Sequence, residues 1–342
     1  MKRLLVALGV LTAAFAFTGA ARSIPEPPPP DQIPWGLDRI DQRFGLDNRF
    51  EPVGTGAGVR IYVIDTGVKM NHADFEGRAL PGATYVNDGR GAADCNGHGT
   101  HVAAIAAGRR YGVAKSATVI SVRIGDCSGG QSLGTMAQAV RWVTAANRDT
   151  GVRAVVNISW APESDDLLTA VSEGIQEGLV YTVAAGQATP GGNGQDECDE
   201  NQWSRLRDVI VVSSSTAGDQ KQDEANYGSC VDLYAPGHEI VSAWPFPADW
   251  SQPCTSFTTA YEIDGETYCN GTSFAAPHVA GAAALYLQRN PSATPAEVET
   301  ALKTTATQNV IFESQFLRGD LLYARFERPP CRPWECPPPP PL

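Results

Sequence analysis

The sequence predicts an α/β fold: a mostly parallel central sheet covered by helices on both faces. Three observations carry this reading. Short β-branched runs bounded by glycine alternate with helix-period stretches. Strands and helices in that alternation build parallel sheets with both faces buried. The residues able to do chemistry follow such runs directly, where open α/β sheets place their sites.

The strands are read at 59–64 (Val59-Arg60-Ile61-Tyr62-Val63-Ile64), 118–124, 154–158, 179–184 and 209–212. Helical patterns sit between them at 99–108, 133–147, 165–176 and 273–289, and there is no internal repeat. The chain has 342 residues, of which 42% are hydrophobic, enough for one large core. Its formal net charge is −12 and it shows no Lys/Arg cluster. A nucleic-acid partner is therefore not expected, and the charge is read as a solubility feature.

Both ends differ from the middle. Lys2 and Arg3 precede an apolar run from Leu4 to Phe17, then Thr18-Gly19-Ala20-Ala21. That is the plan of a signal peptide over 1–21, cleaved near Ala20 or Ala21. A membrane anchor is the rival reading, but a span needs roughly 20 apolar residues and the run is shorter. A secreted or periplasmic protein, off the membrane after cleavage, is expected. Residues 22–34 carry Pro25 and Pro27 to Pro30 and read as a stiff linker. Residues 327–342 form a proline-rich tail around Cys331 and Cys336.

Eight cysteines suit an oxidising compartment. Cys95 and Cys127 are as far apart as Cys198 and Cys230; Cys254/Cys269 and Cys331/Cys336 would complete four local pairs. Many connectivities remain open on spacing alone. Zinc is the rival, but no C-x-x-C occurs.

Three segments carry candidate chemistry. Asp65-Thr66-Gly67 follows the first strand; alone, such an Asp is more often a turn or capping residue. Asn96-Gly97-His98-Gly99-Thr100-His101 puts glycine on both sides of His98, so backbone can pass close to the imidazole. Two histidines three apart also suggest a metal, but the Glu of H-E-x-x-H is missing. Asn270-Gly271-Thr272-Ser273 precedes an Ala/Gly-rich helix, placing Ser273 at its N-terminus, where its N–H is free to meet an anion. There Ser273 could equally be a plain N-cap. Taken together, in the order Asp, His, Ser, they describe a nucleophile, a base and the base's orienter. A serine hydroxyl attacks only when an imidazole takes its proton, and a carboxylate holds that imidazole in the useful tautomer.

On these segments, and on Trp35 to Gln42, Asp94-Cys95-Asn96-Gly97-His98-Gly99-Thr100-His101 and Asn226-Tyr227-Gly228-Ser229-Cys230-Val231-Asp232, the chain resembles the subtilases. It is most similar to the aqualysin-type enzymes of the proteinase K-like branch. The resemblance runs to Tyr323 and implies a catalytic domain over 35–326. It implies a three-layer α/β/α fold, monomeric endopeptidase activity on protein or peptide substrates, and the triad Asp65, His98 and Ser273. It also implies the disulfides Cys95–Cys127 and Cys198–Cys230. Cys254–Cys269 lies in an insertion without a family counterpart, bracing a loop near the primed side of the cleft. Substrate would add as a strand between Gly129-Gly130-Gln131 and Ser159-Trp160-Ala161, with Ala184-Ala185-Gly186 walling the S1 pocket. Structural calcium is implied at Asp232, with carbonyls near Arg207 and Val209. A second site is implied at Asp38, Asp41 and Gln42, with Asp47 a looser member; oxygen-only ligands suit that ion.

The chain departs from the family in four places. Gln187 stands where an oxyanion-hole asparagine is usual; its amide donor is one methylene longer. The usual Ser-Leu-Gly-Gly reads Ser159-Trp160-Ala161-Pro162, and Ala103-Ala104 replaces Ala-Gly. No segment of propeptide size lies between the signal and the domain. These motivate an alternative expectation, an inactive or weak pseudoprotease serving as a secreted binding module. A narrow-specificity processing enzyme or peptide ligase is a third.

Overall fold

The computed structural model describes residues 29, 32–131, 134–160, 164–189, 191–196, 198, 202–246, 254, 265–312 and 318–327. The signal segment, nearly all of the 22–34 linker, Ala161, Pro162, and the tail with Cys331 and Cys336 lie outside the described residues.

The chain opens with helix Trp35–Ile40, β1 (Val59–Asp65), β2 (Ala79–Thr84), helix His98–Ala107 and β3 (Thr118–Arg123). Helix Thr135–Arg148, β4 (Arg153–Ile158), helix Asp165–Gln176, β5 (Val180–Ala184), β6 (Val209–Ser215) and β7 (Leu233–Pro236) follow. A hairpin of β8 (Ile240–Trp244) and β9 (Gly265–Cys269) leads into helix Thr272–Arg289. Helix Pro295–Thr305, β10 (Thr307–Phe312) and β11 (Arg318–Leu321) end it.

Nine of these strands form one sheet in the order β10-β11-β7-β6-β5-β4-β1-β3-β2. Neighbours are parallel except β10 with β11. Successive strand residues alternate between faces. Ile61, Val63, Val155, Ile210 and Val212 pack with helices His98–Ala107 and Thr272–Arg289. Tyr62, Ile64, Val156, Ile158 and Val211 pack on the other side with helices Thr135–Arg148 and Asp165–Gln176. This is the three-layer α/β/α fold that the resemblance implied.

Small residues let the two helices of the first layer meet. A Cβ on Gly281 would lie 2.6 Å from Val113 Cβ and 2.8 Å from the Ala106 carbonyl oxygen. The neighbouring alanines of helix Thr272–Arg289 are likewise fully buried. Residue 281 therefore has to be the residue without a side chain.

The five strands and four helices read from the sequence are all present, within a few residues at their ends. The sequence reading missed the outer elements. β2 reads Ala-Leu-Pro-Gly-Ala-Thr, whose Pro81 and Gly82 look like turn signals. As an edge strand it tolerates them, because only one side has to pair. Helix Pro295–Thr305 carried a legible start that went unread. Thr294 accepts from Glu297 N, Glu297 returns a bond to Thr294 N, and Pro295 takes the first position.

That capping box gives a stability test away from the cleft. Thr294→Ala removes a cap worth about 1 kcal/mol, and the thermal midpoint is expected to fall by about 2–4 °C in differential scanning calorimetry.

Candidate active site

β1 ends on Asp65, which is completely buried. Its Oδ1 accepts from the Thr66 backbone N–H at 2.7 Å and from His98 Nδ1 at 2.8 Å. With Nδ1 donating, Nε2 is left as the proton acceptor. His98 opens helix His98–Ala107 and keeps about a quarter of its side chain exposed (24%).

The two glycines beside His98 have separate reasons. Gly97 has φ 115°, and a Cβ there would strike the Trp244 ring at 2.4 Å. A Cβ on Gly99 would lie 2.1 Å from the Gly67 carbonyl oxygen and 3.0 Å from Asp65 Oδ1. The close approach expected from the motif is what brings Asp and His together.

Asp94 was quoted in the sequence only as part of that motif. In the structure it is the hub of the turn. Its Oδ1 accepts from Thr66 Oγ1, Asn96 N and Gly97 N, and its Oδ2 from Thr100 N and Oγ1, all at 2.6–3.0 Å. Thr66 Oγ1 in turn accepts from Gly99 N at 2.9 Å. These bonds tie the loop after β1 to the start of the His98 helix. Burial pushes the Asp94 carboxyl up, and the hydrogen bonds partly offset it.

Electrostatics favour a protonated His98. Burial alone would lower its pKa, but the Asp65 charge, its hydrogen bond and the Asp94 charge together raise it above the ordinary histidine value. His101, expected to pack inside, does so. Burial drives its pKa down to about 3, and Nε2 faces the Thr267 carbonyl oxygen at 3.2 Å.

Ser273 is the second residue of helix Thr272–Arg289. Its hydroxyl donates to the Ser159 carbonyl at 3.0 Å, and the Ser159 hydroxyl donates to the Ser273 carbonyl at 3.1 Å. Pro277 explains why that carbonyl is available: proline has no N–H to close the i→i−4 bond to residue 273. Asn157 Nδ2 orients Ser159 from below at 3.0 Å. The Ser273 hydroxyl thus rests on Ser159, and meeting His98 takes a rotation about its Cα–Cβ bond.

Gln187 follows β5 and Ala184-Ala185-Gly186. Its Oε1 accepts from Thr272 N at 3.1 Å. Gly271, at φ 140°, makes room for the amide; a Cβ there would lie 2.3 Å from Gln187 Oε1 and 3.1 Å from Nε2. Among the described residues Gln187 Nε2 donates to nothing, and it sits one residue from Ser273. Asn226 Nδ2 holds the Ala185 carbonyl at 2.9 Å, and Gly186 N donates to Thr272 Oγ1 at 3.2 Å. Thr272 and Asn226 are site-shaping residues the sequence reading passed over.

Gly129 and Gly130 lie in a loop closed by the Gly125–Gln131 bridge and by Asp126 N donating to the Gly130 carbonyl at 2.8 Å. The Cys95–Cys127 disulfide and the bond from Asn96 Nδ2 to the Cys127 carbonyl (3.2 Å) fasten that loop to the His98 turn. Trp160 stands opposite. Cys198–Cys230 and Cys254–Cys269 are also formed. Cys254 joins Gln187 and Asn270 in lining a cavity of about 440 Å³.

The two implied calcium sets differ. Asp38 Oδ1 accepts from Gln42 Nε2 at 3.0 Å and Asp47 N at 2.9 Å, and Gln42 also reaches the Gly45 carbonyl at 2.7 Å. Asp41 Oδ2 accepts from Glu51 N, while its buried Oδ1 has no partner among the described residues. Burial raises the Asp41 carboxyl, and the Asp47 and Asp38 charges add to the rise. An orphaned carboxylate oxygen among oxygen donors fits a hard cation. The Asp232 set does not fit as arranged. Lys303 Nζ lies 2.5 Å from Asp232 Oδ1 and 3.1 Å from Glu299 Oε1, while Asp232 Oδ2 accepts from Val211 N at 2.9 Å. Both oxygens are already taken, and Arg207 and Val209 flank Asp208 at the start of β6 beside this ion pair.

A parallel α/β sheet with an Asp–His pair and a helix-start serine at its carboxyl edge defines a serine-hydrolase type of site. The family model for the Subtilase family (Peptidase_S8) matches residues 56–319, and the chain belongs to that family. It is 42% identical over 295 residues to an "Extracellular serine proteinase" of Thermus sp. (strain Rt41A), covering 85% of this chain and 66% of that protein. It is 39% identical over 292 residues to "Alkaline serine exoprotease A" of Vibrio alginolyticus, covering 85% and 50%. The chain thus spans two thirds or less of these relatives' length. The crystal structure of a cold-adapted subtilisin-like serine proteinase superposes with TM-score 0.75 at 38% identity, covering 86% of this chain and 98% of that one.

The raised His98 pKa is open to direct measurement. The imidazole titration followed by NMR is expected to have its midpoint above the ordinary value of about 6.5. In Asp65→Asn the midpoint is expected to move down, because burial then acts without the carboxylate.

Proposed function

We propose that the chain is a secreted serine endopeptidase that cleaves peptide bonds through an acyl-enzyme on Ser273. The observation that carries the reading is the convergence of the 2.8 Å Asp65–His98 bond, the helix-start Ser273 and the free Gln187 amide donor on one edge of the sheet.

A substrate strand would lie between the 129–131 loop and Ser159, its backbone pairing as an added strand. The substrate N–H next to the scissile carbonyl would take the Ser159 carbonyl. That displaces the Ser273 hydroxyl and frees it to turn to His98. Ser273 Oγ then attacks the carbonyl carbon while His98 Nε2 takes its proton, and Asp65 stabilises the imidazolium. The oxyanion would meet the Ser273 N–H and Gln187 Nε2. Collapse breaks the C–N bond, His98 returns the proton to the leaving amine, and water repeats the sequence to release the acid. The N-terminal signal pattern and the extracellular relative support export. Calcium would be held by Asp38, Asp41, Gln42 and Asp47, and there it would draw the acidic loop together.

The decisive experiment is labelling of the folded protein with a fluorophosphonate, with Ser273→Ala as control. Labelling that depends on Ser273 is expected; its absence would sink the enzyme reading and leave a binding module. Gln187→Ala should lower kcat by about 10²–10³ if the amide is an oxyanion donor, measured on a chromogenic peptide. Calcium is expected to raise the thermal midpoint of the wild type and to lose that effect in Asp41→Asn. Lys303→Met should instead lower stability in calcium-free buffer, since it strands Asp232 and Glu299 without their cation.

A further inference from the structure

Trp160 is the residue in the cleft with the largest departure from the family pattern, and its placement is specific. It follows Ser159 just past the end of β4. Its ring does not stay over β4. A Cβ on Gly125 would lie 3.1 Å from Trp160 Cη2 and 2.9 Å from Thr66 Cγ2. Thr66 follows β1 and Gly125 lies just beyond β3, and the sheet order there is β4-β1-β3. The indole therefore crosses the carboxyl end of β1 and comes to rest against the backbone beyond β3. Gly125 permits this, because any side chain there would occupy the ring's place.

On its way the indole passes beside the base. Its centroid is 6.0 Å from that of the His98 imidazole, with the planes 31° apart, and Trp160 is half-buried. The ring is thus a floor laid between the two segments that would pair with substrate. In an extended strand, adjacent side chains point to opposite faces. The scissile residue's side chain goes to the wall made by Ala184, Ala185 and Gly186. The preceding side chain, P2, points the other way, toward His98 and the indole beside it.

We infer that Trp160 sets the size of the P2 side chain, admitting glycine or alanine and excluding leucine or phenylalanine. The inference rests on the hydrolytic reading of the cleft for the direction of the peptide, but its test does not need turnover. Paired peptides differing only in alanine or phenylalanine at P2 are titrated calorimetrically into Ser273→Ala and into the double variant Ser273→Ala/Trp160→Leu. Ser273→Ala is expected to bind the alanine peptide about tenfold or more tightly, the scale set by a side chain a pocket cannot hold. The double variant should lose that preference, because leucine gives back the volume of the ring. Circular dichroism and thermal melting confirm that both variants are folded. Equal affinities in Ser273→Ala, no binding of either peptide, or a preference unchanged by Trp160→Leu overturn the assignment. A retained preference with no fluorophosphonate labelling of the wild type would overturn hydrolysis alone.

Discussion

The hydrogen bond between Asp65 and His98 is the constraint around which the cleft is arranged. The two residues belong to different layers, a strand end and a helix start. They meet only because backbone closes to within contact distance at Gly99, where even a methyl group would collide with the Gly67 carbonyl and crowd Asp65. Asp94 makes that approach durable. Its two oxygens bind both the loop after β1 and the helix start, so the donors freed by the turn and the helix end are satisfied inside the protein. A carboxylate that would be costly to bury alone is kept by five hydrogen bonds.

The serine half of the site follows the same logic with other parts. Pro277 deletes one helical hydrogen bond, and Ser159 from β4 takes the carbonyl it leaves. Gly271 deletes a side chain, and Gln187 takes the space. The longer amide is accommodated without displacing the helix: its oxygen binds the helix N-terminus and its nitrogen remains available. Substitution of asparagine by glutamine is thus matched by local geometry rather than imposed on it. Trp160 and Gly125 form a comparable pair, one filling what the other leaves empty.

The calcium question divides along charge. At the N-terminal set, buried carboxylates gather with one oxygen unsatisfied, an arrangement that draws in a cation. At Asp232 the cation is part of the chain: Lys303 bridges Asp232 and Glu299. A tethered ammonium ion neutralises the same carboxylate, so similar acidic residues in two places have different requirements.

The layer order, the five central strands, the four long helices and the three site segments were legible in the sequence. Each is written in local terms: β-branched runs, helical period, and glycines around a chemical residue. Outer elements were less legible, because edge strands such as β2 tolerate proline and glycine that read locally as turns. The identity of Asp65, His98, Ser273 and Gln187 as a group also came from the sequence, through motif and resemblance. Tertiary structure decided how they stand to one another. Asp94 as a hub, the serine hydroxyl resting on Ser159, the indole laid over β1 to Gly125, and Lys303 on Asp232 are contacts between residues far apart in the chain. Spacing and composition carry no record of such distances; they arise only when the strands are ordered side by side and the helices are laid across them.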